Sequence, residues 1–188
     1  EPTRYLGIMF TPQGLATDIM TRRLDDGIRI TIDRWRDRRP SLVGRVLLTN
    51  ACLLSKLWFA AHVVPFPASF VQQVQKRARQ FVWRSKRSRV AWDSITKKKS
   101  AGGLGVLPIH EQSLAIFGKL VQKMFLTVDR PVWAPLAHWL LRHHMARVQL
   151  HPSMLCAEHT WPVPAAVRRL PPFWRRALAF WKACKGES

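Results

Sequence analysis

Sixteen lysines and arginines fall between residues 34 and 99, and only Asp37 and Asp93 oppose them. They arrive in clusters: Arg34, Arg36, Arg38 and Arg39; Arg45 and Lys56; Lys76, Arg77 and Arg79; Arg84, Lys86, Arg87 and Arg89; Lys97, Lys98 and Lys99. This excess of fourteen is most of the formal charge of +20. Cations at that density have few carboxylates of their own to pair with. The chemistry they offer is neutralisation of phosphates on a polyanion, with release of its counterions. Such binding ignores sequence and weakens steeply with salt.

Other chemistries are poorly supplied. Asp25-Asp26 could attract a metal, but it follows Arg23-Leu24 inside a helical pattern with no strand hairpin, so a solvated helix segment is expected. His138, His143, His144, His151, Cys156, His159 and Cys184 invite a zinc reading, and Cys156-x-x-His159 could supply two ligands. A structural site needs four, and no second pair at finger spacing completes it; no metal is expected. Gly102-Gly103-Leu104-Gly105 fits neither a P-loop nor a dinucleotide-binding pattern. Nothing in the sequence supports a Ser/His/Asp hydrolase. Cys52, Cys156 and Cys184 lie far apart, which suits a reducing compartment, and an intracellular location is expected, in the nucleus or a cytoplasmic ribonucleoprotein.

The clusters need elements to hold them. With 188 residues, 47% of them hydrophobic, nine Trp and nine Phe, the chain is no disordered basic tail. Residues 5–10 read as a short strand without a partner nearby, followed by turn chemistry at Thr11-Pro12-Gln13-Gly14. From about Thr17 to Arg38, Leu24, Ile28, Ile32 and Trp35 form one apolar stripe of a helix that Pro40 stops. Ser41 offers an N-cap to a second helix reaching about His62, with Leu47, Ala51, Leu54, Trp58 and Ala61 expected inside. Pro65 and Pro67 break it. Ser69 and Gln72 fit a capping box that would start a third helix, with Phe70, Val74, Ala78 and Phe81 inside and Lys76, Arg77 and Arg79 outward. A basic arm, Arg84 to Val90, a short helix from Asp93, the glycine segment and a helix after Pro108 follow. In that last helix Ile116, Phe117, Leu120, Val121, Met124 and Phe125 are expected to be buried. Beyond Asp129 prolines punctuate short Trp-rich helices. Trp35, Trp58, Phe81 and Trp83 sit at core spacing and read as packing residues. No segment is apolar and unbroken enough to span a bilayer by this reading: the longest uncharged run, Leu57 to Gln75, contains Pro65 and Pro67.

The fold class expected is mainly α: a helical bundle preceded by a short strand and followed by Pro/Trp-rich short helices. At these residues the chain resembles the thumb of reverse transcriptases from non-LTR, LINE-type retrotransposons. The match runs through Tyr5-Leu6-Gly7-Ile8, where a family strand closes the palm, the Trp35 helix and Ser41-Leu-Val-Gly44-Arg45. It continues through Pro65-Phe-Pro67, Phe81-Val-Trp83, the basic arm and Gly102-Gly103-Leu104. Order and spacing agree over roughly residues 3 to 126, and Pro172-Phe-Trp174 resembles the linker beyond the thumb. The resemblance implies residues 1–12 as the end of a palm-like region, 13–127 as a basic thumb-like domain and 128–188 as a linker region. With Glu rather than Met first and an unpartnered strand at residues 5–10, the chain is expected to begin inside a larger protein's domain.

The family's polymerase chemistry needs an aromatic-x-Asp-Asp hairpin and a further Asp to hold two metals, and this sequence contains no such motif. The expected function is therefore to clamp a primer–template duplex, RNA–DNA or DNA, without catalysis. Mg²⁺ and nucleotides would belong to the missing palm and fingers, and no cofactor is expected here. Ser41, Gly44, Arg45, Lys56, Lys76, Arg77, Arg79, Arg84, Lys86, Arg87, Arg89, Lys97, Lys98, Lys99, Gly102 and Gly103 are the expected nucleic-acid contacts. Gly44 would permit either backbone approach to a sugar edge or tight helix packing, and the basic arm and lysine run could also serve nuclear import. A stand-alone RNA- or DNA-binding protein derived from such an element, or a relic without function, are the alternatives. A membrane partner is not expected.

Overall fold

The computed structural model describes residues 1–85, 90–126, 131–144 and 175. The chain is mainly helical, with a short three-stranded sheet ahead of the helices. It divides into two compact units, Glu1–Ser113 and Leu114–Ser188.

In the first unit the N-terminal segment forms a sheet where a lone strand was expected. β1 (Thr3–Tyr5), β2 (Ile8–Thr11) and β3 (Gly14–Leu15) pair antiparallel in that order, with Tyr5 opposite Ile8 and Phe10 opposite Leu15. The partner of Ile8–Phe10 is thus the residues just before it, joined by a two-residue turn. Leu6 and Gly7 both have positive φ there, 46° and 85°, as tight hairpin turns require. Leucine is an unusual first turn residue, which is why the sequence reads as one continuous strand. Ile8 points into a small cluster with Met20, Ala60 and Val64, and this docks the sheet on the helices.

Helix α1 (Thr17–Arg36) carries the expected stripe: Ile28 is buried, while Leu24, Ile32 and Trp35 pack against the core from its margin. The segment after Pro40 is helical throughout but not regular. α2 (Leu42–Leu48) runs into a π turn, Thr49–Leu54, and on into α3 (Ser55–Ala61). Ser41 caps α2 as expected, its Oγ accepting from the Gly44 N–H at 3.2 Å. The expected inner face holds only after the π turn. Leu54 and Ala61 are buried and Trp58 partly so, whereas Leu47 is 67% exposed, Ala51 is exposed, and Val46 lies inside instead. A π turn carries one surplus residue. Seven residues before Leu54 a regular helix would bring Leu47 to the core; with the surplus residue, the position eight before, Val46, arrives there.

Asn50 sits in that π turn and reaches the strand-like segment after the glycines. Its Nδ2 donates to the Gly105 carbonyl at 2.9 Å, and its Oδ1 accepts from the Leu107 N–H at 3.0 Å. One side-chain amide therefore satisfies both polar groups of a backbone that no strand pairs with.

Helix α4 (Ala68–Trp83) begins after Pro67, with no side-chain cap. The Ser69–Gln72 capping box does not form, because Pro67 already sets the extended entry and Ser69 lies within the first turn. Phe70, Val74, Ala78 and Phe81 are buried as expected, and Val82 with them. α5 (Trp92–Thr96), the 3₁₀ turn Lys99–Ala101 and α6 (Ile109–Leu126) follow. Ile28, Leu53, Leu54, Leu57, Val74, Val82, Ile95, Val106 and Ile109 belong to one contiguous core. In the second unit Ile116 and Phe117 are buried and Leu120 is half-buried. α7 (Ala134–His144) buries Ala134 and Ala137 and stacks Trp139 on His143, with ring centroids 5.5 Å apart. The side chains of Val121, Met124 and Phe125, and the Pro/Trp-rich tail apart from α7, lie outside the described residues.

Leu54→Ala should cost about 2–5 kcal/mol in urea denaturation, because it empties a filled core position. Leu47→Ala should stay within about 0.5 kcal/mol, since it trims a surface side chain. Equal losses at the two positions would refute the π register.

Candidate nucleic-acid interface

The acids of α1 sort the arginines. Arg77 of α4 donates through Nε to Asp25 Oδ1 at 2.7 Å and through an Nη to Oδ2 at 2.8 Å, a bidentate pair. Gln73 adds a donor to Oδ2 at 3.0 Å. The Asp25 and Arg77 side chains are only 13% and 28% exposed, so Asp25 is a bridge between α1 and α4 rather than a solvated helix residue. Its partner Arg77 is accordingly not outward-facing. Asp26 pairs with Arg29 at 3.7 Å and Asp33 with Arg36 at 2.8 Å, both on the surface, where such pairs contribute little. With both members of the acidic pair engaged by arginines, Asp25 and Asp26 do not fit a two-metal site. Among the described residues no cluster of His, Cys, Asp and Glu could hold a metal ion; His151, Cys156, His159 and Cys184 lie outside them.

Arg45 works inside the fold. Its Nε donates to the Val82 carbonyl at 2.6 Å and its Nη1 to the Pro40 carbonyl at 2.8 Å. It thereby ties α2 to the C-terminal end of α4, where helix carbonyls lack partners. Desolvation by burial, and then the charge of Arg84, disfavour its protonated form. Arg84 ends α4 in the left-handed region at φ 52°, where glycine is the usual residue, and donates to the Arg36 carbonyl at 3.2 Å. Arg29, Arg36, Arg45, Arg77 and Arg84 line one cleft of about 750 Å³, walled also by Trp35, Gln80 and Phe81. Arg29 and Arg36 were not among the expected contacts; their place on the polar side of the α1 stripe was the available signal.

The other expected contacts are distributed over the first unit. Lys76 is exposed on α4. Arg79 is half-buried, and its Nε–H has no acceptor among the described residues. Lys56 lines a separate shallow cleft with Arg4 and Arg23, beside Gly27. Gly44 is half-buried, and a Cβ there would meet Pro40 and Ser41, which favours tight local packing over approach of a ligand.

Lys97, Lys98 and Lys99 are all exposed on a loop held by its own backbone. Gly102, Gly103 and Gly105 donate to the carbonyls of Lys99, Lys98 and Lys97 at 3.1, 3.0 and 3.0 Å. Gly102 has φ 76°, and a Cβ on Gly103 would collide with the Lys97 carbonyl. The two glycines thus shape the loop that presents the lysines. Lys86, Arg87 and Arg89 lie outside the described residues. Trp35, with Arg38 stacked 4.9 Å from its ring centroid, along with Trp58, Phe81 and Trp83, packs on or in the core as expected.

Arg77→Gln should lower stability by about 1–3 kcal/mol by leaving Asp25 without its charged partner, while Lys76→Gln one position away should leave stability unchanged. Chemical denaturation of the two variants checks this, and a neutral Arg77→Gln would remove the bridge from the account.

No known protein family matches the chain. It is 30% identical over 91 residues, 46% of its length, to the "Putative ribonuclease H protein" of Arabidopsis thaliana. It is 24% identical over 136 residues, 71% of its length, to the "Transposon TX1 uncharacterized 149 kDa protein" of Xenopus laevis. The chain spans only 15% and 10% of those two proteins.

Proposed function

We propose that this chain is the duplex-gripping part of a LINE-type reverse transcriptase, a thumb with the linker beyond it, transposon-derived and non-catalytic by itself. The observation that carries this reading is the division of its cations. Every ion pair among the described residues uses an arginine and an acid of α1. Lys56, Lys76, Lys97, Lys98 and Lys99 are exposed and have no carboxylate partner among them. Ammonium groups exposed on helices and on a backbone-held loop suit phosphates met at any sequence. The likeness to a transposon protein over 71% of the chain supports the origin. In this reading a palm elsewhere in the longer polymerase supplies Mg²⁺, nucleotides and the carboxylates, and the chain's own task is to bind and orient the duplex.

A stand-alone nucleic-acid-binding protein of the same ancestry is favoured by one observation: residues 1–113 enclose a core of their own. Helix 42–61 is long and apolar enough to cross a membrane by composition, but it carries Arg45 and Lys56 and buries Leu53, Leu54 and Leu57 in that core.

Binding of the purified chain to a labelled RNA–DNA hybrid from about 50 to 200 mM salt should fall by orders of magnitude. Lys76→Gln should lower the slope of log K against log salt by about one unit, equally on unrelated sequences. A folded chain that binds no hybrid, or prefers anionic vesicles at the same salt, would overturn the proposal. Binding as tight as that of complete sequence-blind binders would favour the stand-alone form.

A further inference from the structure

The cleft between α1, α2 and the end of α4 has a countable charge. Three of its five arginines are each matched by one carboxylate: Arg29 by Asp26, Arg36 by Asp33 and Arg77 by Asp25. Arg45 and Arg84 have no carboxylate partner among the described residues and donate only to neutral carbonyls. Those carbonyls hold the two guanidinium groups in place without neutralising them. Each guanidinium has five N–H donors; the observed bonds use two of Arg45's and one of Arg84's. Burial first, and then the charge of Arg84, disfavour the charged form of Arg45. Arg84 also holds a left-handed conformation that glycine adopts more readily than arginine. Two like charges, one of them on a strained residue, are thus held together in a cleft with room for a ligand.

We propose that this cleft is a receptor for a dianionic phosphate group, held between the forks of Arg45 and Arg84. Two uncompensated positive charges match a phosphate monoester, which carries about −1.5 to −2 at neutral pH, better than a backbone diester with a single charge. Planar forks with spare donors suit its tetrahedral oxygens. The same chemistry comes from two sources, the terminal phosphate of a nucleic-acid strand or free inorganic phosphate. The site goes beyond duplex gripping, because it would read a strand end or a small anion rather than a continuous backbone.

The test is the thermal stability of the 188-residue chain in inorganic phosphate against chloride of equal ionic strength. Phosphate should raise the melting temperature above the chloride control and saturate. Arg84→Gly takes the left-handed conformation without strain, so it should fold at least as well. It should nevertheless raise the half-saturating phosphate concentration about tenfold or more, the loss of one charged hydrogen bond. Lys119→Gln, an equal change of net charge on α6, should leave the phosphate effect intact. No excess over chloride in the parent chain, or an undiminished excess in Arg84→Gly, would overturn the receptor. Short strands with and without a 5′- or 3′-terminal phosphate then identify the source. Displacement by a phosphorylated strand alone supports a strand end, and displacement by neither supports free phosphate. Equal displacement by both would overturn the preference for a dianion. The hybrid titration above reads the lysines separately, so failure here leaves duplex gripping standing.

Discussion

One surplus residue in the helix after Ser41 sets the geometry of the first unit. The π turn at Thr49–Leu54 brings Val46, in place of Leu47, into line with Leu54 on the core. It also turns Asn50 toward the chain beyond the glycines, where a single amide holds Gly105 and Leu107. That clamp seats Val106 in the core, where its N–H and that of Leu104 donate to the Ile95 carbonyl at 3.2 Å and close the lysine loop. The seating of the segment that closes the Lys97–Lys99 loop therefore traces to Asn50, 55 positions before Gly105. Thr49 reinforces the turn by donating to the Arg45 carbonyl at 2.8 Å, so the first residue of the π turn and the residue that ties the helix to α4 are directly joined.

Arginine and lysine take different work in this molecule. The arginines at the α1–α2–α4 junction are ordered by partners: Arg77 by a carboxylate, Arg45 and Arg84 by carbonyls at helix ends. A planar fork with several donors suits such multi-point anchoring. The lysines stand on exposed faces with compact, hydrated charges, suited to phosphates whose positions vary with the sequence bound. One acid, Asp25, is spent where two helices must meet, and the repulsion among the lysines is spread over solvent.

Much of the architecture was legible in the residues. The α1 stripe, the Ser41 cap, the proline break and the buried face of α4 follow from periodicity and from residues with one dominant structural use. The register of Leu47 and Ala51 was not, because Leu42–Ala61 is apolar on nearly all sides and a repeat of 3.6 cannot locate an inserted residue. The hairpin at Leu6-Gly7 was hidden by a leucine where asparagine or glycine would signal a turn. The cleft was half legible. Charge density singled out Arg45, Arg77 and Arg84, but only the three-dimensional pairing with Asp25 and with carbonyls separates the anchored from the uncompensated. No sequence rule links Arg77 to an acid fifty-two positions away.

The bond between the glycine loop and the lysine triplet has a consequence for how such a chain can change over generations. Three amides answer three carbonyls in strict order across residues 97–105, and Gly103 leaves no space above Lys97. Replacing a lysine side chain disturbs none of this, so its charge can drift freely. Gaining or losing a single residue in the stretch would break every pairing at once and pull Val106 from the core. Copies of this sequence should therefore vary in letter but not in length between Ile95 and Val106, a constancy of spacing that would outlast the charge itself.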